Sequence, residues 1–281
     1  MTIKIITDST SDLPEAVIKE FDITVIPCYI NAGGKSYLDG VELSRVEFYD
    51  QLPGWSEPPT TSAPSPGMFL EEYRKVFENG ATGIFSIHIS DQLSNVVNVA
   101  RIAAESLQDR YPIKVFDSGQ LSMGIGVLAK AAAKFAQEGK VLEEIAPLLL
   151  EKAKKVYTYA ALDTLEYLRR SGRVSHIGAN LGSLLQIKPI INMNLGKVGM
   201  EVQRTRRNAI KRLIQIAKSF SPLVQLTMVH TNALERAKEL FTEIRSFLPE
   251  DIQPDYAEVS PIVGSHIGPG AVGFVFETSS K

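Results

Sequence analysis

Cysteine is nearly absent. The single residue of this type, Cys28, can close no intramolecular disulfide and build no thiolate zinc site, which points to a reducing compartment. Long apolar runs are missing as well. The longest, Ile145 to Leu150, covers six residues in an otherwise charged stretch, well short of the roughly 18 that a membrane span needs. The N-terminal MTIKIITDSTSDLPE lacks the charged-then-apolar order of a secretory signal. Neither sign of charge dominates: 30 Lys and Arg stand against 32 Asp and Glu, a net charge of −2. These absences exclude a disulfide scaffold and a globally basic nucleic-acid binder, and they predict a soluble, cytoplasmic protein.

Familiar chemical motifs are equally scarce. There is no Walker loop, no H-E-x-x-H and no G-x-S-x-G elbow. Gly124-Ile125-Gly126-Val127-Leu128-Ala129 matches a dinucleotide fingerprint, but it starts about eight residues beyond its strand, and Glu143 and Glu144 fall on a helix. These glycines therefore read as helix-packing positions. His88, His176, His230 and His266 are scattered along the chain, so no metal site is expected.

What is present is 281 residues, 44% hydrophobic and 22% charged, enough for about two domains. Apolar β-branched runs alternate with helical periods, the pattern of an α/β protein. Strands are predicted at 3–7, 23–30, 82–89, 113–116 and 156–162, and a hairpin pairs 189–193 with 198–203 across Asn194-Leu195-Gly196-Lys197. Ser44 and Glu47 form a capping box, and Ser65 followed by Pro66 opens a helix ending at Asn79-Gly80. Helices are expected at about 121–138 and 141–155. Another starts at Asp163 and ends at Ser171-Gly172, before a glycine-spaced helical stretch that reaches Gln186. Residues 53–67, PGWSEPPTTSAPSPG, hold five of the fifteen prolines and predict a constrained loop with no regular element. A domain boundary is placed near 155–160, giving domains 1–157 and 158–281.

Hydroxyls crowd the turns after the predicted strands: Ser9, Thr10 and Ser11; Thr60, Thr61 and Ser62; Ser90 and Ser94; Ser118. Each can cap a helix, but on one edge of a parallel sheet they would form a set of neutral donors suited to an anion. Asp8, Asp91 and Asp117 in the same turns weigh against a strongly anionic ligand.

DSTSDLP at 8–14, PTTSAPSPGMF at 59–69, ISDQLS at 89–94, LEYLRRSGRVS at 165–175, LLQIKPII at 184–191 and HIGPGAVG at 266–273 resemble, in order and spacing, the DegV family. The resemblance implies two α/β domains, an N-terminal one with a parallel sheet and a C-terminal one with a mixed sheet. It also implies a bacterial fatty-acid-binding subunit that presents its ligand to a fatty acid kinase for acyl phosphate formation, without catalysis or cofactor of its own. By the same resemblance a long-chain fatty acid lies between the domains, with Thr61, Ser62, Ser94 and His266 on its carboxylate. Ala63 stands where the family usually has a polar residue, and Asn95-Val96 departs from the usual residues after Ser94. Phe85, Ile87, Leu128, Leu162, Leu185, Ile191 and Phe274 are candidates to close an acyl tunnel. The resemblance leaves room for transient membrane-surface contact and leaves the oligomeric state open.

The neutral total conceals one imbalance. Between Arg169 and Arg212 ten cations face Glu201 alone, a local charge of +9 and a remainder of −11. A solvated helix face is the plain reading. Nucleic acid competes, but no aromatic residue lies among these cations to stack on bases. In the resembling family the region of Ser171-Gly172-Arg173 looks like the surface that meets the kinase, which makes Arg170, Arg173, Arg204 and Arg206 docking candidates. An alternative from another class is a stand-alone hydrolase or transferase using Ser94 or Ser62 with His266 on a small acyl or phosphoryl substrate. A third reading is a regulatory DNA binder acting through 169–212.

Overall fold

The computed structural model describes residues 2–173 and 187–279. The expected glycine-spaced stretch up to Gln186, with His176 and Leu185, lies outside the described residues.

The N-terminal half is built on a parallel sheet of β1 (Ile3–Asp8), β2 (Thr24–Ile26), β6 (Gly83–His88) and β7 (Ile113–Asp117), in the order β2-β1-β6-β7. β6 is buried at every residue, as expected of an inner strand covered on both faces. Helices α3 (Pro66–Glu78) and α4 (Val96–Glu105) pack together on β6, whereas α5 (Met123–Gln137) and α6 (Leu142–Ala153) pack together against it elsewhere. Ser65 and the Ser44–Glu47 box cap α3 and α2 (Arg45–Gln51) as their spacing predicts.

The C-terminal half is a mixed sheet ordered β10-β9-β8-β13-β11-β12. Its strands are β8 (Val156–Ala161), β9 (Lys188–Asn194), β10 (Lys197–Gln203), β11 (Leu223–His230), β12 (Asp255–Glu258) and β13 (Val272–Thr278), antiparallel throughout except β11 with β12. α8 (Arg206–Phe220) and α9 (Leu234–Ile244) cover it, while α5 also reaches β8 and β13. α5 therefore meets both sheets, which is why Met123 to Ala129 is buried without a break. Gly124 and Gly126 serve this packing: a Cβ would lie 2.6 Å from Gln120 Oε1 at the first and 2.7 Å from Ser11 O at the second.

Three expectations need correction. The run 23–30 is not one strand. Pro27 carries no N–H for a ladder, Cys28 N donates to Ser9 Oγ at 3.1 Å, and Tyr29–Ala32 forms β3 in a different sheet. The proline-rich segment is not wholly irregular, because Thr60–Ser62 forms β5, which pairs with β3 opposite β4 (Lys35–Leu38) in an antiparallel sheet ordered β4-β3-β5. The helix expected from Asp163 begins at Glu166 and is one short turn, α7 (Glu166–Arg170). The hairpin β9–β10 is as expected but tighter: Leu195 and Gly196, at φ 48° and 74°, make a two-residue turn.

Candidate ligand-binding cleft

Thr61 and His266 are 205 residues apart in sequence and in contact in space. α10 (Pro261–Ile267) packs on β3, β5 and α2, so His266 in its last turn reaches the edge strand β5, with Nε2 3.0 Å from Thr61 Oγ1. The turn that follows depends on glycine. Gly268 has φ +75°, and a Cβ there would lie 2.3 Å from the Tyr167 ring of α7. His266 Nδ1 is buried with no partner among the described residues. Burial first, then the positive charge of Arg173, holds the imidazole down to about 4, so the ring is neutral at physiological pH.

These groups line a cleft that is otherwise mainly aliphatic, with Ile89, Leu93 and Leu121 from the parallel-sheet side, Ile191 and Val198 from the β9–β10 hairpin, and Ile262 from α10. Ser94 lines it from the turn after β6, as expected, and so does Thr10, whose hydroxyl and N–H both bond Asp8. The space in it open to water-sized molecules is about 80 Å³, a narrow cleft for a long chain. An acyl chain enters only by parting the aliphatic side chains.

Ser62 is not in this cleft. In a strand three residues long, side chains alternate, so Thr61 turns inward while Thr60 and Ser62 are exposed, and Ser62 Oγ faces Asn31 Nδ2 at 3.5 Å. Arg173 is in the cleft, half-buried, with its guanidinium donating to Ser171 O at 2.8 Å. The cleft thus carries a cation beside the hydroxyls and the imidazole. Among the tunnel candidates Ile191 lines the cleft. Phe85, Ile87, Leu128, Leu162 and Phe274 are buried in the core without lining it, and Leu185 lies outside the described residues. Asn192 lines the cleft too, and no periodicity in the sequence singles it out.

The aspartates expected to repel an anion do not face this cleft. Burial alone would raise Asp8, but His88, Thr10 and the Ile89 N–H outweigh it and hold its carboxyl below the usual range. Asp8 Oδ2 is 2.9 Å from His88 Nδ1, and His88 Nε2 is 2.7 Å from Ser86 Oγ. This serine, histidine and aspartate chain has the connectivity of a hydrolase relay, yet all three residues are fully buried, and Tyr73 Oη donates to Ser86 at 2.9 Å. It is a structural network. His266, in turn, has a threonine partner on Nε2 and, among the described residues, no carboxylate on Nδ1.

The basic segment is partly neutralised by two acids just outside it, Glu166 and Asp163, and by Glu201 within it. Arg170 pairs with Glu166, Arg206 with Asp163 at 2.7 Å, and Arg212 with Glu201 at 2.6 Å. Arg204 is exposed just beyond β10. Among the described residues no three His, Cys, Asp or Glu side chains form a group able to hold a metal ion, and no helix is long and apolar enough to cross a membrane.

A parallel α/β sheet and a mixed sheet flanking an amphiphilic cleft, with α10 and β5 closing its polar end, define the class of this molecule. The chain belongs to the DegV family: the model of that family (Uncharacterised protein, DegV family) matches residues 2–279. A DegV domain-containing protein of Streptomyces coelicolor is 34% identical over 276 residues, 97% of each chain, and one of Listeria innocua is 33% identical over 278 residues, 98% of each. Among solved structures, DegV of Bacillus subtilis, a fatty acid binding protein, superposes with TM-score 0.89 at 28% identity, covering 99% of this chain and 100% of that one. A DegV family protein of Thermus thermophilus, described by its fatty acid binding, gives 0.88 at 29% identity over 99% and 100%.

Proposed function

We propose that this protein binds a long-chain fatty acid in the cleft, between lobes of residues 1–157 and 158–281. It presents the carboxylate to a fatty acid kinase for acyl phosphate formation in the cytoplasm, and carries no catalytic machinery of its own. The observation that carries this reading is the Thr61–His266 pair, with an Nδ1 that has no partner among the described residues and with Ser94 and Arg173 lining the same aliphatic cleft. Fatty acid binding by the Bacillus and Thermus relatives supports it.

The energetics divide between tail and head. Burying about 14 methylenes at ~0.8 kcal/mol each yields roughly 11 kcal/mol. Association costs about 4 kcal/mol or more, and parting the narrow walls costs further, so the tail supplies about 7 kcal/mol or less, short of the ~8 kcal/mol of a micromolar complex. The head-group contacts therefore add affinity as well as orient the carboxylate. A neutral imidazole and two hydroxyls hold a carboxylate without burying it in a bidentate fork, and the Arg173 charge favours the anion, leaving an oxygen reactive toward a phosphoryl donor. Arg170, Arg173, Arg204 and Arg206 remain the proposed kinase-facing residues.

Fatty-acid affinity and kinase-dependent acyl phosphate formation, measured on single variants, test the assignment. Loss of a hydrogen bond to a charged group, about 1.5–3 kcal/mol, predicts a roughly tenfold or greater weakening in Thr61→Ala, Ser94→Ala and His266→Ala, with Ser62→Ala unchanged. Unaltered affinity and unaltered phosphorylation in the first three overturn it.

A further inference from the structure

Three carboxylates are buried around the turn that follows β1: Asp8 at 0%, Asp12 at 1% and Asp39 at 4% exposure. Two of them are matched. Asp8 takes His88, Thr10 and the Ile89 N–H. Asp12 accepts from Ser260 N at 2.8 Å and from the Ser122 hydroxyl, with the Arg45 guanidinium 3.8 Å away. Asp39 is left short. Its backbone N–H is tied to Cys28 O at 3.0 Å and its side chain has the Ser9 hydroxyl, but Oδ2 has no partner among the described residues. Arg45 is already committed, to Asp12 and to the Glu258 carbonyl.

An unpaired buried acceptor is costly, and the residue that carries this one lines a pocket. Asp39 lines a pocket of about 220 Å³, separate from the fatty-acid cleft, together with Ser9, Ser11 and Arg45, whose guanidinium is held by Asp12 and the Glu258 carbonyl. The rest of the wall is mainly hydrocarbon, from Leu13, Ile18, Val25 and Val41, the last 70% exposed at the surface. Such a wall has few oxygens to offer a metal ion and suits a cation that carries its own methylenes.

We propose that this pocket binds a primary alkylammonium group, with Asp39 as its counter-ion and the aliphatic wall against its methylenes. A free amine and a lysine side chain offered by another protein present the same chemistry. The pairing has a defined pH dependence. Burial raises Asp39 to about 7; Asp12 and Asp8 add to the rise, while Ser9 and Arg45 oppose it. The other titratable neighbours, Cys28 and Tyr49, are both pushed upward by burial and stay protonated. The carboxylate form is the one that pairs with a cation, so affinity rises about tenfold from pH 6 to pH 8.

The test is calorimetric titration of the full-length protein with n-pentylammonium, Nα-acetyl-lysine amide and the uncharged 1-pentanol. The expected result is amine binding that follows this pH profile, that weakens about tenfold or more in Asp39→Asn, and that is lost in Val41→Trp, which fills the mouth without touching the buried network. Tighter binding of the lysine amide assigns a protein-borne source, and tighter binding of pentylammonium a free amine. No amine binding, equal affinity in Asp39→Asn, or pentanol binding as tightly as pentylammonium overturns the proposal.

Discussion

His266 stays uncharged in the folded chain down to about pH 4, whereas an ordinary histidine protonates near 6.5. The stability associated with the neutral ring is therefore fully present above pH 6.5 and is lost as pH falls through 4. Urea midpoints should drop across that window, and His266→Gln should flatten the drop; an identical profile in the variant contradicts the burial of a neutral imidazole. Asp39 has the opposite sign. Its carboxyl is raised to about 7, so its contribution is fully present below its ordinary value of 3.8 and is lost as pH rises through 7. Asp39→Asn should be as stable as the parent or more so at pH 8, measured by thermal unfolding. At this scale the sequence is a good guide to residue type and a poor one to direction. Thr61 and Ser62 read alike as adjacent hydroxyls, and only the pleat of β5 sends one into the cleft and the other to solvent. Arg173 reads as one cation in a basic run, because nothing local reveals that α7 carries it to the cleft.

Elements with strong local signals are legible from the residues: the capping box of α2, the Ser65 cap of α3, the unbroken apolar run of β6 and the hairpin β9–β10. Where partners come from afar, legibility stops. β5 is three residues in a proline-rich loop and exists because β3 pairs with it, and the 23–30 run divides at Pro27 because Tyr29–Ala32 joins that other sheet. The turn after α10 is fixed by both causes at once, a left-handed Gly268 and the Tyr167 ring beside it. Gly268→Ala should cost about 2–3 kcal/mol in denaturant unfolding through strain and overpacking, and should weaken fatty-acid binding by displacing His266. A stability change within about 0.5 kcal/mol, as at an ordinary surface site, contradicts that account.

Across the molecule the two halves are joined by buried polar groups as well as by the apolar cluster that runs from the parallel sheet to β8 and β9. Asp12, in the turn after β1, takes Ser122 at the start of α5 and Ser260 N ahead of α10, the helix that bears His266. Asp12→Ala leaves those two donors unsatisfied at about 1–3 kcal/mol each, so a loss of roughly 2–6 kcal/mol is expected from urea unfolding. The near-neutral net charge is likewise a sum of unlike parts, and under the proposed kinase docking Arg204→Glu, exposed and away from the core, should lower kinase-dependent acyl phosphate formation while fatty-acid affinity stays unchanged. The central claim is a fatty acid in the cleft, and it is tested most directly by native mass spectrometry of the purified protein followed by lipid extraction. The account predicts one co-purified long-chain fatty acid per chain, lost in a Thr61→Ala, His266→Ala double variant; a ligand-free parent that also fails to take up added fatty acid would contradict it.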